Sequence, residues 1–180
     1  MHVTLPAARG FTVIELMIGL AIATLLLALA APQWRGRLAA AELRDRAEAL
    51  AAALAVVRSE AIKRGARVDL CPSADRVACA TAGEWEAGWL GFVNEKAAPA
   101  PADGAALVAR ERGARAGITI RGNGPVAQYV SYTPQGHARR RDGALQMGTF
   151  TVCRRGQQAL KVVLANSGRT RIDATLEDCP

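Results

Sequence analysis

FTVIELMIGLAIATLLLALAA, residues 11–31, holds one charged side chain, Glu15, in 21 residues. About 20 apolar residues suffice to cross a bilayer as a helix, so this segment is expected to be a transmembrane helix. An ordinary secretory signal has a shorter apolar run followed by a small-residue cleavage site, and Ala28, Ala30 and Ala31 could serve as one. Glu15 argues against that alternative. An ionised carboxylate among lipid tails costs about 3 kcal/mol on insertion scales, so it needs a partner or a task. Arg35 and Arg37 flank the outer end of the run, so the positive-inside rule alone does not set this orientation.

Downstream, Pro32 lacks the amide donor of an interior helix bond, and a kink or local break is expected there. The helical pattern then resumes. Leu43, Ala47, Leu50, Leu54, Val57 and Ala61 recur at spacings of four and three, which makes one apolar face. Gly65 after Arg64 suits a C-terminal cap. Residues 11–64 thus read as one long kinked helix of about 80 Å at 1.5 Å per residue. From Arg67 the pattern changes to short apolar or alternating runs separated by Gly, Pro, Asn and Asp. Candidate strands are Arg67–Cys71, Trp89–Asn94, Leu107–Glu111, Ile118–Arg121, Ala127–Tyr132, Gly148–Cys153, Ala159–Leu164 and Arg169–Asp173. The expected class is α+β, a long N-terminal helix packed on an antiparallel β domain. The segments are 1–10 as a leader, 11–31 in the membrane, 32–65 as an amphipathic continuation and 66–180 as the globular part.

The 180-residue chain carries a formal net charge of +7. Up to Ala109 there are 11 basic and 11 acidic side chains, whereas from Arg110 onward there are 12 and 5. The whole excess therefore lies in the C-terminal part, mostly as arginine, whose planar donor fork suits phosphate. No hydrolase elbow, phosphate loop or metal-ligand spacing occurs. Asp69, Glu84, Glu86 and Glu95 are scattered, and His137 sits in a turn pattern. No cofactor is expected, and the function reads as binding or structural rather than enzymatic. Cys71, Cys79, Cys153 and Cys179 form no C-x-x-C pair, so two disulfides in an oxidising compartment fit better than zinc. Four cysteines allow three connectivities.

Arg9-Gly10-Phe11-Thr12-Val13-Ile14-Glu15-Leu16 resembles the processing site of type IV prepilins and pseudopilins. The resemblance implies that a prepilin peptidase cuts after Gly10 and that the new N-terminal Phe11 is methylated. It also implies that Glu15 neutralises the Phe11 amine of a neighbouring pilin during assembly. The segment CPSADRVACATAGEWEAGWLGFVN, from Cys71 to Asn94, is similar to the globular domains of the FimT/GspH group of minor pilins and pseudopilins. With that resemblance the expected pairing is Cys71–Cys79 and Cys153–Cys179. The expected location is the inner membrane, single-pass with the C-terminal domain in the periplasm, and then the cell surface in an assembled pilus.

Three basic clusters lie in the C-terminal half: Arg139-Arg140-Arg141, Arg154-Arg155, and Ser167-Gly168-Arg169-Thr170-Arg171. In an extended segment Arg169 and Arg171 project to one side, where two forks can reach adjacent phosphates. Gly168-Arg169-Thr170-Arg171 resembles the GRxR motif of FimT-type minor pilins that bind DNA for uptake in natural transformation. That resemblance implies capture of double-stranded DNA by Arg169 and Arg171, helped by Arg139–Arg141, Arg154, Arg155 and Lys161. In the related GspH pseudopilins a Gly-Arg pair at this place can occur without DNA binding. The alternatives are a structural minor pilin that primes or caps the filament, and a GspH-type pseudopilin of type II secretion. In either, Arg169 and Arg171 cap a strand or pair with Asp173, Glu177 or Asp178.

Overall fold

The computed structural model describes residues 12–81, 83–114 and 116–179; within the helix, the side chains of 29–33 and 35 are not described. Gly10 and Phe11 lie outside the described residues. The chain divides into two compact units, one ending at Leu38 and one starting at Ala39. Helix α1 runs from Val13 to Arg64 as one element. Of the kink or local break expected at Pro32, the break is absent: the helix continues through the proline, which removes only one donor. Among the described residues no helix is long and apolar enough to cross a membrane.

The first unit opens on a capping box. Thr12 N and Thr12 Oγ1 each donate to Glu15 Oε2 at 3.0 Å, and Glu15 N donates to Thr12 Oγ1 at 3.3 Å. This reciprocal pattern satisfies orphan donors of the first turn. Val13, Ile14, Leu16, Met17 and Leu20 are exposed, so among the described residues nothing covers this apolar surface.

In the second unit the apolar stripe of α1 organises everything. Leu43, Ala47, Leu50, Leu54, Val57 and Ala61 are all buried. They share a core with Leu70, Trp85, Trp89, Ile120, Phe150 and Val162. The helix ends where Gly65 takes φ +61. Gly65 N donates to Ile62 O and Ala66 N to Ala61 O, both at 3.3 Å, which is the Schellman arrangement.

The strands are β1 Val68–Pro72, β2 Gly88–Val93, β3 Leu107–Arg112, β4 Ile118–Gly122, β5 Val130–Tyr132, β6 Gly148–Arg154, β7 Gln158–Leu164 and β8 Thr170–Asp178. They form two four-stranded antiparallel sheets, ordered β3-β2-β1-β5 and β4-β6-β7-β8. The strand expected from Ala127 starts only at Val130, after a 3-10 turn at Gly124–Val126. Pro125 lies in the first positions of that turn, and the Ala127 carbonyl accepts from Trp85 Nε1 at 2.9 Å. Arg169 likewise precedes β8 instead of opening it.

Cys71 pairs with Cys79 and Cys153 with Cys179. The first bridge closes a loop held internally by Asp75, whose Oδ1 accepts from Val77 N at 2.8 Å, Ala78 N at 3.0 Å and Ser73 Oγ at 3.0 Å. The backbone donors of Ala78 and Val77 and the Ser73 hydroxyl hold this carboxyl below its ordinary 3.8. A depressed folded value means the contribution is complete at neutral pH and is lost as pH falls through that value. The amide resonances of Val77 and Ala78 are therefore expected to titrate with a midpoint below 3.8, read by NMR. A midpoint above it contradicts the assignment.

Between the sheets, Glu86 accepts from Ile120 N at 3.2 Å and from Arg121 Nη1. Burial opposes its ionisation, but the Arg121 hydrogen bond and the backbone donors outweigh it and hold the carboxyl low.

Candidate nucleic-acid interface

The sheet that contains β7 has two ends. At one, residues 155–157 connect β6 to β7; at the other, residues 165–169 connect β7 to β8. Seven residues of β7 separate them, about 20 Å at 3.3 Å per residue. The first turn lies beside the middle of α1, where Ala40, Ala41 and Arg44 share a groove with Gly156 and Gln157. The second lies beside the last turns of α1, where Ala55, Arg58, Ser59 and Ile62 share a groove with Gly168, Arg169 and Thr170. The basic clusters are thereby divided between two ends.

At the helix-exit end three chain reversals adjoin. The β7–β8 turn closes through Gly168 N to Ala165 O and Ala165 N to Arg169 O, both 2.9 Å. The turn at Thr133–His137 closes through Gly136 N to Thr133 O at 2.8 Å and Thr133 N to His137 O at 3.0 Å. The two are joined by Ala138 N donating to Asn166 O at 3.1 Å. A third reversal closes through Gly143 N to Arg140 O at 2.9 Å and Arg140 N to Ala144 O at 2.8 Å. Gly168 has φ +81, and a Cβ there would lie 2.1 Å from Gly136 O. Its small size serves this backbone approach, with no room spent on a ligand.

This end presents Arg169, Arg139, Arg140 and Arg171 in different states. Arg169 is exposed and has no ion-pair partner among the described residues. Arg171 is 65 % exposed, and its Nε donates to Asp173 Oδ2 at 2.9 Å. Arg140 is exposed with Asp142 at 3.5 Å. Arg139 is half-buried, and its Nη1 donates to the Ala138 carbonyl at 3.2 Å.

Arg141 differs from its two neighbours. It turns inward, its Nε donating to Asp69 Oδ2 at 2.8 Å while its guanidinium lies 3.8 Å from the Tyr129 ring centroid. A side chain committed to a fully buried carboxylate is not available to a phosphate, so Arg141 leaves the expected DNA-binding set. Arg154 and Arg155 sit at the other end of the sheet. Arg154 Nη1 pairs with Glu42, and Arg155 is exposed. Lys161 lies mid-strand, with Nζ 2.8 Å from Glu177 Oε2.

Four arginines escaped sequence reading. Arg58 and Arg67 hold the backbone of the reversals from beneath. Arg58 Nε donates to Gly136 O at 2.9 Å, and Arg67 Nη1 donates to Ser131 Oγ at 2.7 Å and Arg139 O at 3.2 Å. Arg110 and Arg112 alternate along the edge strand β3, and both are exposed. Their i, i+2 spacing in an alternating run was the available signal. Among the described residues no group of His, Cys, Asp and Glu could hold a metal ion.

Comparison with known proteins places the chain in a family. The family described as Type II transport protein GspH matches residues 46–168, and the prokaryotic N-terminal methylation motif matches residues 5–31. The fold is similar to the type IV minor pilin FimU of Pseudomonas aeruginosa strain PAO1 in two crystal forms. One is 23% identical with a TM-score of 0.56, covering 76% of this chain and 94% of that one. The other is 20% identical with a TM-score of 0.54, covering 74% and 98%. It is also similar to the minor pseudopilin EpsH from the type 2 secretion system of Vibrio cholerae, at 15% identity and a TM-score of 0.50, covering 76% and 99%. No curated protein matches the sequence at a significant level. The chain carries the N-terminal methylation motif and belongs to the Type II transport protein GspH family, which is not a family of enzymes.

Proposed function

We propose that this chain is a minor pilin of a type IV pilus that captures extracellular double-stranded DNA for uptake. The observation that carries the proposal is Arg169, exposed and without an ion-pair partner among the described residues, on a turn that adjoins the Arg139–Arg140 reversal. Arg171 joins it. Its pair with Asp173 is largely exposed, and exposed pairs are worth only about 0–1 kcal/mol. A phosphate can therefore replace Asp173 at little cost. All of these groups are turn and strand-end arginines without an aromatic platform, since Tyr132 is buried and Tyr129 lies under Arg141. That favours contact with the phosphate backbone over base stacking.

The rest of the reading follows the methylation-motif match over residues 5–31. The prepilin peptidase cuts after Gly10, Phe11 becomes the methylated N-terminus, and residues 11–31 anchor the chain in inner-membrane lipid. Residues 32–65 continue the helix, and 66–180 form the periplasmic domain. Glu15 meets the Phe11 amine of a neighbouring pilin in the filament.

The test is a DNA titration with the full-length chain in nanodiscs of uncharged lipid. Arg169→Ala with Arg171→Ala is expected to weaken binding about tenfold or more at low salt, at two charge-assisted contacts. The slope of log K against log salt should fall by about 0.9 for each phosphate that the variant no longer neutralises. Unchanged affinity in the double variant sinks the assignment.

A second reading, a structural pilin or a GspH-type pseudopilin of type II secretion, is favoured by one observation. The family match ends at Gly168, immediately before the two arginines. Absence of any DNA binding at low salt supports it.

A further inference from the structure

Arg58 lies on α1, off the apolar stripe, and is half-buried. Its guanidinium spans two separate chain reversals, with Nε donating to Gly136 O at 2.9 Å and Nη2 to Ser167 O at 3.2 Å. Gly136 O is the same oxygen that closes on Gly168, where a Cβ would stand 2.1 Å from it and 3.0 Å from Arg58 Nε. The reversals are also joined directly by Ala138 N to Asn166 O at 3.1 Å. On the other side, the Gly136 turn rests on Ile62, whose Cδ1 would be 2.6 Å from a Cβ at 136. One cation of the helix thus fixes the spacing between the segment that leads into Arg139 and the segment that leads into Arg169.

We propose that Arg58 is a positioning residue for the DNA-binding turns, setting the separation of Arg139 and Arg169 by clamping Gly136 O and Ser167 O to α1. The inference rests on the DNA-binding reading above. A planar fork reaches two carbonyls at once with its donors held in fixed relation. Lysine carries its three donors on a single rotating ammonium at the end of a flexible stem, so it does not hold two carbonyls in a fixed relation. No carboxylate among the described residues pairs with Arg58, so its charge also adds to the positive field beneath the turns. Its two bonded nitrogens face protein carbonyls, so its effect on DNA passes through the turns.

The full-length chain in uncharged nanodiscs serves for the test, with Arg58→Ala, Arg58→Lys, Arg169→Ala and the combination of Arg58→Ala with Arg169→Ala. Arg58→Ala is expected to weaken DNA binding about tenfold alone and less than about twofold once Arg169 is gone, because residues acting through one contact are non-additive. Arg58→Lys should follow Arg58→Ala, and it carries the test if the alanine variant does not fold. Equal losses in both backgrounds, or full rescue by lysine, overturn the proposal. Hydrogen exchange supplies a readout independent of DNA. The amides of Gly168 and Ala138 should exchange about tenfold faster in the Arg58 variants and at the parent rate in Arg169→Ala. Unchanged protection in the Arg58 variants overturns the positioning role whatever DNA does. Unchanged DNA affinity in Arg169→Ala with altered protection in Arg58→Ala sinks the DNA reading and leaves the clamp standing.

Discussion

Gly168→Ala is expected to lower folding stability by about 3 kcal/mol or more, a strain at a special backbone conformation combined with a forced backbone shift. Two separate penalties meet at this position. The first is conformational: φ is +81, and a non-glycine residue held in the left-handed region costs about 1–2 kcal/mol. The second is steric, since the added Cβ would lie 2.1 Å from Gly136 O and 3.0 Å from Tyr132 Cε1. That oxygen accepts from Arg58 Nε at 2.9 Å, and its turn is tied to the β7–β8 turn through Ala138 N and Asn166 O, so a shift disturbs these bonds. Gly156, in the β6–β7 turn, separates the two penalties. It has φ +76, and a Cβ there would meet nothing within 4 Å, so Gly156→Ala should show the conformational cost alone. Thermal unfolding followed by circular dichroism should place Gly168→Ala about 10 °C below the parent, at a few degrees per kcal/mol for a domain of this size. Gly156→Ala should fall by roughly half that or less. Equal shifts in the two variants would mean that the close approach at Gly136 contributes nothing. Because Arg169 is the next residue, the surviving folded fraction of Gly168→Ala should also bind DNA more weakly.

The same position shows where sequence reading reached and where it stopped. The stripe Leu43–Ala61 was legible because helical periodicity is local, and all six residues are buried. The eight strands were legible because alternation and turn residues are local as well, with boundaries moving by a few residues. The start of β5 was placed three residues early, at Ala127, whose carbonyl accepts from a distant indole, Trp85 Nε1, and not from a neighbouring strand. Gly168 could be read as a turn residue, but the backbone it must approach, at Gly136, is far back in the chain. Nothing local to Arg58 marks a role for it; only the packing of two turns on the helix gives it carbonyls to hold. The three arginines at 139–141 are alike as letters. Arg140 is exposed while Arg139 and Arg141 are half-buried, and only Arg141 reaches a buried carboxylate, which depends on which way the reversal at Arg140–Gly143 points each side chain.

That division yields the second large effect. Arg141→Ala is expected to cost about 3–5 kcal/mol, the range for removing one partner of a buried ion pair. Asp69 is fully buried, and its Oδ2 accepts from Arg141 Nε at 2.8 Å and from Asn94 Nδ2 at 2.6 Å. Its Oδ1 has no hydrogen-bond partner among the described residues. Without Arg141 the carboxylate keeps one neutral donor and no countercharge, in a place where water does not reach. The damage spreads along the network, because Asn94 also holds the following loop, accepting from Ala98 N at 2.8 Å and donating to Ala98 O at 2.9 Å. The stacking of the guanidinium on Tyr129 disappears too, worth about 0.5–2 kcal/mol depending on desolvation. Adding Asp69→Asn to Arg141→Ala removes the stranded charge while keeping the shape, so the double variant should regain a large part of the stability. Urea unfolding of the parent and both variants measures this. If the double variant is no more stable than Arg141→Ala, the cost arises from poorer packing and the ion-pair account fails. DNA titration at a temperature where Arg141→Ala remains folded then completes the argument: its affinity should match the parent within about twofold, since a guanidinium facing Asp69 does not reach a phosphate. A tenfold weakening there would return Arg141 to the binding face.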